Sequence, residues 1–240
     1  MFCVDPIIDQ IQTELIAHSD AKTWENFQRF FKEEVPHYGV KSGDVAKIAK
    51  RYLPEIKTRK KADIFALCET LYKSGYCEEA FVVSSWMASL SWMLEPDDLP
   101  VITSWISQYI TNWATCDGFC NHAIGDLIVR YPDTIDEIIK WTRSENRWMR
   151  RAASVSLIIP AKHGKFLNEV FVIADLLLTD EDDMVRKGYG WLLKEASREH
   201  QQSVFEYVMT HKKLMPRTSL RYAIELMPPD LKKEAMRKDW

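Results

Sequence analysis

The sequence predicts an all-α protein: one domain over residues 1–240, a solenoid of stacked helix pairs with a concave groove on its inner face. Three observations predict it. Only eight glycines and ten prolines interrupt 240 residues, and no clear run alternates apolar and polar residues with period two. The stretches between these breakers space their apolar residues at helical intervals. The chain also repeats itself. "ENRWMRRAASVSL" from Glu145 and "EDDMVRKGYGWLL" from Glu181 each begin with acidic or amide residues, then give an apolar pair, two basic residues and small ones. Arg150 thus matches Arg186 and Arg151 matches Lys187, one repeat apart. A lone helix pair cannot bury its own apolar stripe, so neighbours must stack; about five or six pairs fill the chain. Hydrophobic residues at 46% and charged ones at 28% suit a packed core rather than disorder.

The elements follow in chain order. "MFCVDPIIDQIQTELI" has no basic leader and carries Asp5 and Asp9 early, which argues against a signal peptide. "AKTWENFQRFFKEEV", residues 21–35, reads as one amphipathic helix. "VPHYGVKSGDVAKIAKRYL" gives a Pro-bounded turn and then another helix, too short a break to be a domain linker. "KTRKK" at 57–61 is expected to be a solvated loop or helix start. "AFVVSSWMASLSWML" is the longest apolar tract, but it is shorter than a membrane span and holds four serines. "TIDEIIKWTRS" and "FLNEVFVIADLLL" read as first helices of pairs, and "PRTSLRYAIELM" repeats the basic-then-apolar pattern less exactingly. In the second helices, Ala152, Ala153, Gly188 and Gly190 would let helices approach closely. Five cysteines without a framework suit a reducing cytoplasm, so a soluble cytoplasmic protein is expected; a monomer with no membrane partner is expected as well.

Net charge is −3, but it is unevenly spread. Residues 1–140 hold fourteen Lys/Arg against twenty-one Asp/Glu, and residues 141–240 hold eighteen against fourteen. A polyanion responds to the local field of one face, so this segregation keeps nucleic acid open as a partner, although solvated helix faces give similar counts.

"TNWATCDGFCNHAIGDLI" concentrates unusual chemistry. Trp113 and Asp117 are four residues apart and share a helical face, as do Lys187 and Trp191. In a solenoid, the segments around Asp117, Arg151 and Trp191 can converge on one concave wall. Each residue has a plainer alternative. A helical tryptophan is commonly core, Arg151 could pair with an acidic cap of the next repeat, and Asp117 could cap the helix "GFCNHAIGDL". Cys116, Cys120 and His122 suggest a metal, but His122 points elsewhere on a helix and no second pair completes four ligands. Packed thiols explain them better, and neither metal nor cofactor is expected. A nucleophile elbow and a phosphate-binding glycine loop are both missing, which leaves serine-hydrolase and nucleotide-triphosphatase chemistry without residues.

The acidic start followed by Val-Arg-Lys and a small residue resembles the second helix of a HEAT-type repeat. "NWATCDGFCNHAIGDL", "SENRWMRRAAS" and "VRKGYGWLLKEASRE", in that order, together with "HYGVKSGDVAKIAK", resemble the AlkD-type DNA alkylation-repair glycosylases over about residues 20–230. The resemblance implies an alkylpurine DNA glycosylase acting on duplex DNA that contains alkylated bases. Asp117 would be its catalytic carboxylate, Trp113 and Trp191 its lesion-facing indoles, and Arg151 its groove arginine. Basic residues of the repeats, Arg150, Lys187 and Arg221, would contact DNA. It further implies recognition without extruding the base into a deep pocket. Cys116 and Gly118 beside the aspartate, Arg150 before Arg151, and Phe30 where some relatives carry tyrosine are departures that bear on substrate range. The rival readings are a non-catalytic DNA-structure-binding paralogue and a protein-interaction scaffold.

Overall fold

The computed structural model describes residues 5–238, which are helical or irregular with no strand among them. They fall into two compact units, Met1–Phe119 and Cys120–Trp240.

The first unit holds α1 (Pro6–Ala17), α2 (Ala21–Phe27), α3 (Ser42–Ile56), α4 (Lys61–Lys73), α5 (Cys77–Ser89), α6 (Leu99–Tyr109) and α7 (Trp113–Phe119). Two layers form: α3, α5 and α7 pack in succession, and α1, α4 and α6 do the same beside them. The apolar stripe of each helix closes the core, with Ile11, Ile48, Leu71, Val83, Trp86, Trp105 and Phe119 all fully enclosed. Trp86 donates its indole N–H to the Ala49 carbonyl at 2.9 Å, which satisfies its one polar atom while bolting α5 to α3.

The helix expected over residues 21–35 is cut short. After α2 comes a single 3-10 turn, Gln28–Phe30, and Phe31 is already extended at φ −120°, ψ 143°. Two causes are visible. No side chain of α2 is buried, so packing does not prolong it. The Gln28 side-chain amide donates to the Glu33 carbonyl (2.7 Å) and accepts from the Val35 N–H (3.3 Å), supplying backbone partners that a longer helix would otherwise provide. The turn predicted before α3 is present. Gly39 adopts φ +82°, and a Cβ there would meet the Trp24 Cβ at 2.7 Å, so only glycine fits. Glu78, wholly buried on α5, holds this turn by accepting from the N–H groups of Tyr38, Gly39 and Val40 at 2.9–3.0 Å.

The second unit opens on a π-helical turn, Cys120–Ile124, followed by α8 (Gly125–Arg130), α9 (Ile135–Lys140), α10 (Arg147–Val155), α11 (Ile158–Lys162) and α12 (Leu167–Leu176). α13 (Asp183–Ala196), α14 (Gln201–His211), α15 (Arg217–Ala223) and α16 (Pro229–Met236) complete it. Here α10, α13 and α15 pack in succession, with α12 against both α9 and α13. The sequence repeat is also a structural one. Asn146 caps α10 through the Trp148 N–H (2.8 Å), and Asp182 caps α13 through the Met184 N–H (2.8 Å). Arg150 reaches back to the Ser144 carbonyl (2.9 Å) and Arg186 to the Asp180 carbonyl (2.5 Å), the same six-residue span in both repeats. The small residues do what their positions suggested. A Cβ on Gly188 would lie 2.6 Å from Ser154 Oγ, and one on Gly190 would lie 2.9 Å from the Ser219 carbonyl oxygen.

α3, α5, α7, α10, α13 and α15 begin at Ser42, Cys77, Trp113, Arg147, Asp183 and Arg217, at spacings of 34–36 residues. "KTRKK" is, as expected, the connection into α4, with Arg59 paired to Asp5 and Glu55 and Lys61 to Glu95 and Asp98. Among the described residues no helix is long and apolar enough to cross a membrane.

Candidate functional site

α7 carries the first pair of site residues. Asn112 caps it, accepting the Thr115 N–H at 3.0 Å, so Asp117 is an interior residue of the helix and not its cap. Trp113 is the first residue of α7, and Asp117 lies one turn further on the same side. The carboxylate is only 8% exposed, whereas the indole is half-buried. Trp113 does not belong to the apolar core. Its N–H donates to the Phe30 carbonyl at 3.2 Å and its ring lies 5.7 Å from Phe31, nearly parallel at 28°. Phe31 in turn faces Phe27 at 5.1 Å, and Phe27 faces His37 at 4.4 Å. Phe27, Phe31 and Trp113 of this row border a cavity of about 620 Å³, which Phe30 and Phe81 also line. Lys22 and Lys41 stand exposed at its edge beside Asp20. The Thr23 hydroxyl and N–H hold the Asp20 carboxyl below its ordinary pKa, with Lys41 and Lys22 adding to the effect.

The second unit carries the other expected residues. Lys187 and Trp191 share one face of α13, and Trp191 is half-buried like Trp113. Its N–H donates to Glu195 Oε1 at 3.3 Å, and Arg198 donates to the other carboxylate oxygen at 2.5 Å. Burial pushes the Glu195 carboxyl up, but the Arg198 guanidinium, with help from the Trp191 N–H and Lys194, outweighs it and leaves the pKa below its ordinary value. Arg151 is 5% exposed. Its guanidinium crosses the space left by Gly188 and donates to the Met184 carbonyl, tying α10 to the first turn of α13. Arg147 contacts the acidic cap of the next repeat, 3.3 Å from Asp182. Arg150 is engaged on three sides, bidentate to Asp180 and bonded to the Ser144 and Glu145 carbonyls. Lys187 pairs with Asp183 at 2.8 Å on its own helix and keeps a third of its side chain in solvent. Arg221 is exposed on α15. Trp148, by contrast, is core as expected from the repeat: it is 6% exposed under the Arg147 guanidinium, 4.5 Å above the ring.

Three features went unread in the sequence. Glu195 stands four residues after Trp191, and that spacing in "WLLKE" is a legible signal for a bond to the indole. Glu78 and Glu79 open an otherwise apolar helix, a pattern that marks buried carboxylates in need of donors. The aromatic cavity had no signal, because Phe27, Phe31, Phe81 and Trp113 come from three separate segments. Cys116 and Cys120 are both fully buried. Among the described residues, no three His, Cys, Asp or Glu side chains come together to hold a metal ion.

A family model described as "DNA alkylation repair enzyme" matches residues 11–227. Among solved structures, a protein from Enterococcus faecalis described as a predicted DNA alkylation repair enzyme superposes with a TM-score of 0.79 at 16% identity. The match covers 88% of this chain and 98% of that one. The protein smu.31 from Streptococcus mutans UA159 superposes with a TM-score of 0.58 at 20% identity, over 80% of this chain and 98% of its own. No curated protein matches the sequence.

Proposed function

The chain belongs to the DNA alkylation repair enzyme family, and we propose that within it this is an AlkD-type N-glycosylase that releases cationic alkylpurines such as 3-methyladenine and 7-methylguanine from duplex DNA. The observation that carries the reading is the pair on α7: a nearly buried carboxylate, Asp117, one turn from a half-buried indole that is kept out of the core. A scaffold has no use for that arrangement. The 34–36-residue spacing of the second helices and their close approach at Gly188 and Gly190 support a single HEAT-like array as the frame.

The chemistry asks little of the protein. A purine alkylated at N3 or N7 already carries positive charge and leaves as a neutral base when its bond to C1′ breaks. Positive charge then develops on the deoxyribose, and water adds its oxygen to C1′ and releases a proton. Asp117 stabilises that charge from a fixed position in a sheltered setting, where a carboxylate acts far more strongly than in bulk water, and it orients the attacking water. The indole faces of Trp113 and Trp191 attract the cationic base and sugar, each contributing on the order of 1 kcal/mol. The Glu195 bond to the Trp191 N–H holds that ring's orientation. Lys187 and Arg221 suit phosphate contacts, because each has side chain in solvent. Arg151 serves as the groove arginine and Arg150 as a further DNA contact, while their guanidinium groups also join neighbouring repeats. The resemblance to AlkD-type enzymes supports recognition of the lesion without extruding it.

The test is to incubate the protein with N-methylated duplex DNA and chromatograph the released bases. Free 3-methyladenine and 7-methylguanine are expected, with release falling by on the order of a hundredfold or more in Asp117→Asn while duplex binding persists. Binding without any base release would make the protein a non-catalytic DNA-structure reader. Full activity in Asp117→Asn would remove the assigned carboxylate.

A further inference from the structure

The cavity beside Trp113 exceeds what the excision reading requires. It lies wholly within the first unit, holds about 620 Å³ and is walled by Phe27, Phe30, Phe31, Phe81 and Trp113. That volume falls in the range of roughly 300–1,000 Å³ typical of pockets for small planar ligands. Three of its rings already lie on one another, Trp113 on Phe31 and Phe31 on Phe27, with interplanar angles of 28° and 33°. Phe30 extends into solvent at the opening with 69% of its surface exposed. Lys22 and Lys41 are exposed at the edge and have no ion pair among the described residues. The carboxylate that lines the cavity beside them, Asp20, is engaged by the Thr23 N–H (2.7 Å) and hydroxyl (2.8 Å) as the cap of α2, and Asp44, which also feels the charge of Lys41, is bonded to Lys47 (2.8 Å).

An aromatic-walled cavity joined to a cationic rim is a combination that suits a single exposed base and its phosphates. Phe30, exposed at the opening and paired with no other ring among the described residues, can accept any base by its face, and the lysines neutralise the backbone on either side. An apolar peptide would fill the rings but leave both lysines without a partner. We propose that this cavity receives one unpaired nucleobase of the bound DNA, stacked against Phe30, with Lys22 and Lys41 on its flanking phosphates. Its occupant is a base already out of the duplex, at a bulge or a strand break, not the lesion drawn from its pair. The proposal rests on DNA being the substrate. It adds a second anchoring point, which would favour damage in distorted duplex over damage in regular duplex.

The experiment compares three labelled duplexes by fluorescence anisotropy: fully paired, with a single bulged adenine, and with a bulged abasic residue in the same place. The abasic bulge bends the backbone as the adenine bulge does but offers no base. The adenine bulge is expected to bind about tenfold tighter than the abasic one, a gain of the size one aromatic stack supplies. Phe30→Ala, at an exposed site, and Ala114→Leu, which fills the cavity, should each erase that difference and leave paired-duplex affinity within about twofold. Circular dichroism melts check that both variants fold, and Phe30→Ala carries the comparison if the other does not. Equal binding of the two bulges, or a preference that survives Phe30→Ala, overturns the pocket while leaving the excision reading intact. No binding to any of the three duplexes overturns both.

Discussion

The nine tryptophans of this chain divide by what their surroundings ask of them. Trp86 and Trp105 are fully buried, and Trp148 is covered by Arg147. Trp113 and Trp191 are half-exposed, and each is held by one hydrogen bond from its ring nitrogen, to Phe30 and Glu195 respectively. Trp148→Ala should therefore cost about 3–5 kcal/mol of stability. Trp113→Ala and Trp191→Ala, which empty no core volume, should each cost about half that or less and still depress excision more strongly. Urea unfolding of the three variants, read beside their excision rates, decides the matter. Equal destabilisation by all three would return Trp113 and Trp191 to the core and remove both from the proposed site. The sequence already showed that Trp113 and Asp117 share a face, because both lie on one helix with a fixed period. It could not show that Arg151 would be buried, since that follows from a carbonyl, Met184, supplied by another helix.

At the scale of elements, the interhelix spacing in the second unit depends on two missing methyl groups. The obstacles to restoring them differ. Gly190 faces backbone, the Ser219 carbonyl and Cα at 2.9 and 3.0 Å, along with the Tyr222 Cβ. Gly188 faces the Ser154 hydroxyl, which can rotate away at the cost of its bond to the Arg151 carbonyl (2.8 Å). Gly190→Ala should accordingly destabilise by about 2–3 kcal/mol, and Gly188→Ala by about 1 kcal/mol less, after the helix propensity gained from alanine. Denaturant midpoints test the order. Two neutral substitutions would mean that α13 is not so closely packed on α10 and α15. Most helices were legible from apolar periodicity. The exception is residues 21–35, where the pattern was amphipathic but Gln28 offers its amide to the backbone and no neighbour buries the helix.

At the scale of the molecule, charge is the property that reaches furthest. The basic excess of residues 141–240 places Lys187 and Arg221 in solvent, while Arg147 and Arg150 are tied to aspartates of the following repeat. Binding to undamaged duplex should weaken steeply with salt as phosphate contacts release counterions. Replacing both Lys187 and Arg221 with glutamate should flatten the slope of log K against log salt by about 2, one for each lost contact, with the circular dichroism spectrum unchanged. An unchanged slope would place the DNA-contacting face elsewhere. The same substitution at Arg150 or Arg151 would not serve, since it would break contacts between repeats.

The sequence by itself determined the helical class, the repeat of about 36 residues and the spacing that sets Asp117 one turn from Trp113. These are properties of a chain read locally: the period of a helix, the preference of Asn146 and Asp182 for a cap, and the need of a close approach for glycine. Tertiary structure alone decided which arginines are buried ties and which basic residues face solvent. It alone assembled the cavity from residues between Asp20 and Ala114, and it alone shortened α2. The physical reason is the same in each case. Burial and hydrogen-bond partners come from segments distant in the chain, and a side chain's chemistry is set by those partners as much as by its own identity.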